Sequence, residues 1–107
     1  MASKVNLTMD QGSYFEENFS IASADGVVNL SGYTAACQMR KHFTSLTAID
    51  LVTVLEDSGR LVISLPSSNT ASIEPGRYLY DVEITSPENS VIRVIEGIMT
   101  VTPNITR

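Results

Sequence analysis

Apolar and polar residues alternate with a period of two along almost the whole chain, the pattern of half-buried β-strands. "KVNLTMD" places Val5, Leu7 and Met9 on one face and Lys4, Asn6, Thr8 and Asp10 on the other. Gln11, Gly12 and Ser13 break that run. In "YFEENFSI", Phe15, Phe19 and Ile21 are in phase, and Glu17 shares the phase without fitting it. A bulge or an edge position would explain Glu17. Asp25 and Gly26 form a tight-turn signal. Tyr33, Ala35, Cys37 and Met39 then share one face, with Thr34, Gln38 and Arg40 opposite. "KHFTSLTA" has no clean period and reads as a loop or a short helical turn.

In the second half, Ile49, Leu51 and Leu55 alternate, with Val52 and Val54 opposite, so both faces of that strand are expected to be partly covered. Asp57, Ser58 and Gly59 turn the chain into Leu61, Ile63 and Leu65. "PSSNTASIEPG" is turn chemistry, with one helical turn expected over residues 69–73. "RYLYDVEI" is the most regular strand: Tyr78, Tyr80, Val82 and Ile84 face one way, and Arg77, Leu79, Asp81 and Glu83 the other. Pro87, Glu88 and Asn89 turn the chain again. In "VIRVIEGIMTVT" the phase slips near Glu96 and Gly97, which predicts a bulge there. Pro103 ends the run. About seven short strands without a convincing helix predict an all-β, antiparallel two-sheet sandwich of immunoglobulin-like type. No linker or repeat divides the chain, so a single domain over residues 1–107 is expected, with an extended N-terminal segment and a C-terminal tail.

Composition narrows the functional classes. The 107 residues are 43% hydrophobic, enough for one core and too many for a disordered chain. Twelve acids against seven bases give a net charge of −5. That balance opposes binding to nucleic acid or to anionic membranes, both of which call for a basic surface. One cysteine, Cys37, allows no internal disulfide, and with one histidine it builds no ordinary zinc site. No apolar run reads as a signal peptide or a membrane span, so synthesis in a cytoplasm without secretion is expected. The N-x-S/T sequons at Asn6, Asn18, Asn29 and Asn104 carry no meaning without secretion.

Candidate chemistry is sparse. Asp81 and Glu83 lie two apart on one strand face, about 6.5–7 Å between Cα atoms, within the span of glycosidase acid pairs. Catalysis there requires a cleft and one raised carboxyl pKa; otherwise the pair is the solvated side of a strand. Tyr78 and Tyr80 have two readings, a sugar-stacking platform or packed core. A Tyr just after the Pro75 and Gly76 turn favours a tyrosine corner, in which the ring packs inside and the hydroxyl bonds backbone. Cys37 shares its face with Tyr33, Ala35 and Met39 and reads as core, whereas His42 falls past the strand end. The chain has no G-x-S-x-G elbow, calcium loop or phosphate loop. No catalytic residue, metal ligand or cofactor is expected.

Four stretches, taken in order, resemble small immunoglobulin-like virion proteins of tailed bacteriophages. "NLTMDQGSYFEENFSI" is similar to a Q/R-G-x-x-F/Y segment before a second strand. "DGVVNLSGYTAACQMRK" is similar to a D-G-x-x-x-L-[ST]-G-Y stretch. "GRLVISLPSSNTASIEPGRYLYDVEI" is similar to an aliphatic strand, a Thr-bearing connection and a P-G-x-Y-x-Y-D strand. "RVIEGIMTVTPNITR" is similar to a closing G-x-[IV]-x-V-x-P-x-[VI]-T-R, with Met99 in the third place. The resemblance is to the N-terminal module of upper baseplate proteins that carry receptor-binding proteins. It implies a non-enzymatic structural component of the virion, in the tail (baseplate or tail-fibre attachment), made in the bacterial host cytoplasm. Its implied partners are other virion proteins or further copies of itself, with neither nucleic acid nor membrane. Asp81, Glu83 and Arg107 are the expected partner contacts, and Gly76, Tyr78 and Tyr80 the structural corner. A capsid decoration or cement role is the first alternative, and a carbohydrate-binding module at the host surface the second. The resemblance covers the module alone, and no fibre segment is expected.

Overall fold

The computed structural model describes residues 3–21, 30–42, 45 and 47–105. The described chain is all-β: β1 (Ser3–Lys4), β2 (Leu7–Asp10), β3 (Phe15–Ser20), β4 (Thr34–Arg40), β5 (Ile49–Leu55), β6 (Arg60–Leu65), β7 (Gly76–Thr85) and β8 (Val91–Thr102), with one helical turn, α1 (Ser67–Thr70). The expected Asp25 and Gly26 turn lies outside the described residues.

Hydrogen bonding follows one curled path, β1-β8-β7-β4-β5-β6-β3, with β2 also on β8. The curl depends on β5, which changes partner midway. Ile49 to Leu51 pair with β4, and Val52 to Leu55 pair with β6. Where two separate sheets are expected from the alternation, a single strand thus joins both halves. The inner face is the core: Met9, Met39, Leu61, Ile63, Val82 and Met99 have no exposed surface. They come from β2, β4, β6, β7 and β8, and each sits at the inward parity of its strand's alternation. Burying a side chain of this kind contributes about 1.5–3 kcal/mol. On β5 the outward Val52 and Val54 are about half exposed (50% and 52%), so among the described residues that face is covered only in part.

Three departures from the sequence-based picture have local causes. First, the N-terminal strands pair with β8 in parallel, Lys4 opposite Glu96 and Leu7 opposite Met99, within a sheet that is otherwise antiparallel. The run is split because the Val5 carbonyl turns inward to accept the Tyr80 hydroxyl (2.5 Å), while the Asn6 side chain accepts the Ile98 amide (3.1 Å) in place of backbone. Second, the bulge in β8 is at Val94, not at Gly97: Val82 opposes Ile95 and Glu83 opposes Arg93, which leaves Val94 unpaired. Gly97 has another purpose. A Cβ there would overlap the Val5 carbonyl. Third, the helical turn begins at Ser67, two residues earlier than expected, because Pro66 supplies the first carbonyl, to Thr70 (3.0 Å). Turn bonds continue from Ser72 to Asn69 and from Ile73 to Thr70, over the span where helix is predicted.

Glu17 also has its explanation. Among the described residues β3 pairs only with β6, so it is an edge strand. Glu17 lies opposite the fully buried Ile63 but stays half-buried, since its edge side reaches solvent.

Candidate functional site

Two polar regions flank the inner core of β7, and they differ in kind. The first is a corner where the link between β2 and β3 meets α1 and the chain after β8. Thr70 is wholly buried. Its hydroxyl accepts the Gly12 amide (3.1 Å) and lies within donating distance of the Ser13 and Ser67 carbonyls (2.8 and 3.1 Å). The Gln11 amide side chain donates to the Ile73 carbonyl (2.9 Å) and accepts from the Asn104 backbone (3.0 Å). Gly12 has φ +85°, and a Cβ there would press on the Asn104 side chain. The Tyr78 hydroxyl donates to the Glu74 carbonyl four residues upstream (2.7 Å), the geometry of a tyrosine corner. Gly76, at φ +141°, admits the turn that brings Tyr78 inward, and the Lys41 ammonium sits 4.9 Å from the Tyr78 ring centroid. Burial pushes the Tyr78 hydroxyl pKa up, with the Glu74 carboxylate adding to it.

Tyr80 is likewise interior. Burial raises its hydroxyl to about 12, with smaller contributions from Cys37 and the Glu17 carboxylate. With Tyr78 and Tyr80 both buried and hydrogen-bonded to backbone, the strand offers no stacking platform for a sugar. Tyr33 is half-buried, and Tyr14 is the exposed tyrosine, its hydroxyl donating to Glu16 (3.0 Å).

The second region is the outer face of β1, β8, β7 and β4, a shallow open depression of about 680 Å³. Asp81 and Glu83 line it, and both are half-buried. The Arg93 guanidinium contacts Asp81 (3.2 Å) and Glu96 (3.4 Å), while Gln38 donates to Asp50 (2.7 Å). Arg40 donates to the Ser45 carbonyl and to Gln38. Asp81 and Glu83 therefore share an open wall, not the enclosed cleft that an acid–base pair requires. His42 lines this outer face, whereas Cys37 is buried on the inner one, so the two form no nucleophile pair. Burial drives the Cys37 thiol up to about 12, with the Asp81 charge adding to it. That is the opposite of an activated nucleophile. Among the described residues no three His, Cys, Asp or Glu side chains are placed to hold a metal. Arg107, an expected contact, lies outside the described residues.

The corner was not legible as a site from residue types. Gln11, Thr70 and Asn104 are ordinary loop residues in sequence. No signal in residue type or spacing sets them apart.

No protein-family model matches the chain, and no curated protein matches it by sequence. Among solved structures, an internalin-like protein of Listeria monocytogenes is similar at 16% identity and a TM-score of 0.47, over 94% of this chain. The chain spans 28% of that protein's length.

Proposed function

We propose that this protein is an immunoglobulin-like sandwich acting as a structural component of a tailed-bacteriophage virion, placed in the tail at the baseplate or the attachment of the tail fibre. In this reading β3 and β6 with the second half of β5 form one layer. The strands from β4 to β1 form the other, and β5 bridges the two. The observation that carries it is the corner. The Gln11 and Gly12 segment, the connection from Thr70 to the Tyr78 turn, and the closing segment at Asn104 belong to three of the stretches that resemble the phage modules in sequence. In space the Gln11 and Gly12 segment bonds the Thr70 connection and the closing segment, and the Tyr78 bond to Glu74 closes the adjoining turn. That meeting supports the reading, because segments from three of the resembling stretches come together. The acidic balance suits a component held soluble at high copy number before assembly.

Mass spectrometry of purified virions, followed by cryo-EM of the particle, tests the proposal. Density for the chain at the tail is the expected result. Density on the capsid shell would transfer the role to decoration, and absence from purified particles would remove both assembly roles.

A further inference from the structure

Among the described residues the curled sheet has two open edges, and they are built differently. The edge formed by β1 and β2 is interrupted where the Val5 carbonyl turns inward and Asn6 bonds through its side chain. A row of outward backbone groups is broken there, which blunts strand addition. The other edge, β3, is a six-residue strand in regular register with β6 from Phe15 to Ser20. Among the described residues nothing pairs its far side. It contains no proline, and its register shows no bulge.

Its side chains select what can pair. Glu16 points outward and accepts the Tyr14 hydroxyl; Glu17 points inward between Phe15 and Phe19. Neither has a cationic partner among the described residues. The nearest cation along the ladder, Arg60, is held by Glu56 and Asn18. A second copy of β3 would bring like carboxylates face to face, which opposes self-pairing. A strand bringing Lys or Arg opposite Glu16 and Glu17 would set the paired Cβ atoms about 5 Å apart, within reach of an ion pair, while completing the backbone ladder.

We propose that the outer edge of β3, unpaired among the described residues, is a docking site for an extended, basic strand of another protein, which adds to the sheet with cationic side chains against Glu16 and Glu17. This site does not depend on the chain's place in a virion.

Residue-resolved amide exchange of the intact protein is the test, with a short synthetic valine-rich peptide carrying two adjacent lysines as the lysine probe and its counterpart with two adjacent glutamates as control. The lysine peptide is expected to protect amides of β3, and added salt to reverse the protection. The paired change Glu16→Gln with Glu17→Gln should weaken binding about fivefold, with unaltered thermal unfolding. Protection by both peptides alike, or shifts confined to the face around Asp81, would overturn the site. So would the absence of protection; self-association of Glu17→Val would then show that Glu17 only guards the edge.

Discussion

The two faces of β7 use polar chemistry in opposite ways. On the inner face and at its corner, the polar groups hold the fold together. Tyr78 binds the Glu74 carbonyl, Tyr80 binds the Val5 carbonyl, and Thr70 ties the Gly12 segment to α1. On the outer face, Asp81 and Glu83 border an open depression, and one arginine joins Asp81 to Glu96. Buried polar groups are costly unless paired, so the inner set is constrained by stability. The outer set is half-buried on an open wall that water reaches, and is free to serve contacts.

That contrast can be broken at several points. The largest effect is expected at Gly97→Ala. The new methyl would displace the Val5 carbonyl, break its bond to Tyr80 and loosen the N-terminal strand. A loss of about 3 kcal/mol in urea unfolding is expected. Thr70→Val keeps the shape but strands the Gly12 amide and the Ser13 carbonyl, for a loss of about 2 kcal/mol. An unchanged midpoint would mean that the corner is not a hub.

The inner face also predicts an alkaline limit. The Cys37 thiol rises from 9.0 to about 12, and the Tyr80 hydroxyl from 10.0 to about 12 on folding. Above pH 9 the unfolded chain releases these protons first, so it binds fewer than the folded chain and stability falls as pH rises. The contribution is whole below pH 9 and is lost by about 12, with the thiol acting first. Urea midpoints across that window should decline, and Cys37→Ala should flatten the early part of the decline. Smaller is Tyr78→Phe, about 1 kcal/mol, since one hydroxyl bond is lost and the ring remains packed. Smallest is the outer pair: Asp81→Asn with Glu83→Gln should shift stability by less than about 0.5 kcal/mol. A larger loss there would make the outer face structural and erase the contrast.

Much of this contrast is visible in "RYLYDVEI" alone. The period of two separates Tyr78, Tyr80, Val82 and Ile84 from Asp81 and Glu83, because adjacent side chains of a strand must point to opposite faces. The same local rule marks the inward residues of β2, β4 and β6, and turn chemistry marks Asp57 to Gly59. The sequence also marks Glu17 as out of place and Gly97 as special, but misreads what Gly97 is for. A glycine at a phase slip looks like a bulge, whereas the need for it arises from Val5, a residue far away in the chain. What covers the half-exposed Val52 and Val54 in part was equally out of reach, since cover on a second face depends on what the rest of the fold brings to it.

Strand content, facing and turns were thus determined by residue order, since each depends on neighbours within a few positions. The tertiary structure alone decided the parallel seat of β2 on β8, the partner change within β5, the Val94 bulge and the joining of Gln11, Thr70 and Asn104. Those features satisfy backbone and side-chain hydrogen bonds between residues as far as 93 positions apart. Periodicity carries no information over such separations, because only the closed chain shows which polar groups are buried together and must find one another.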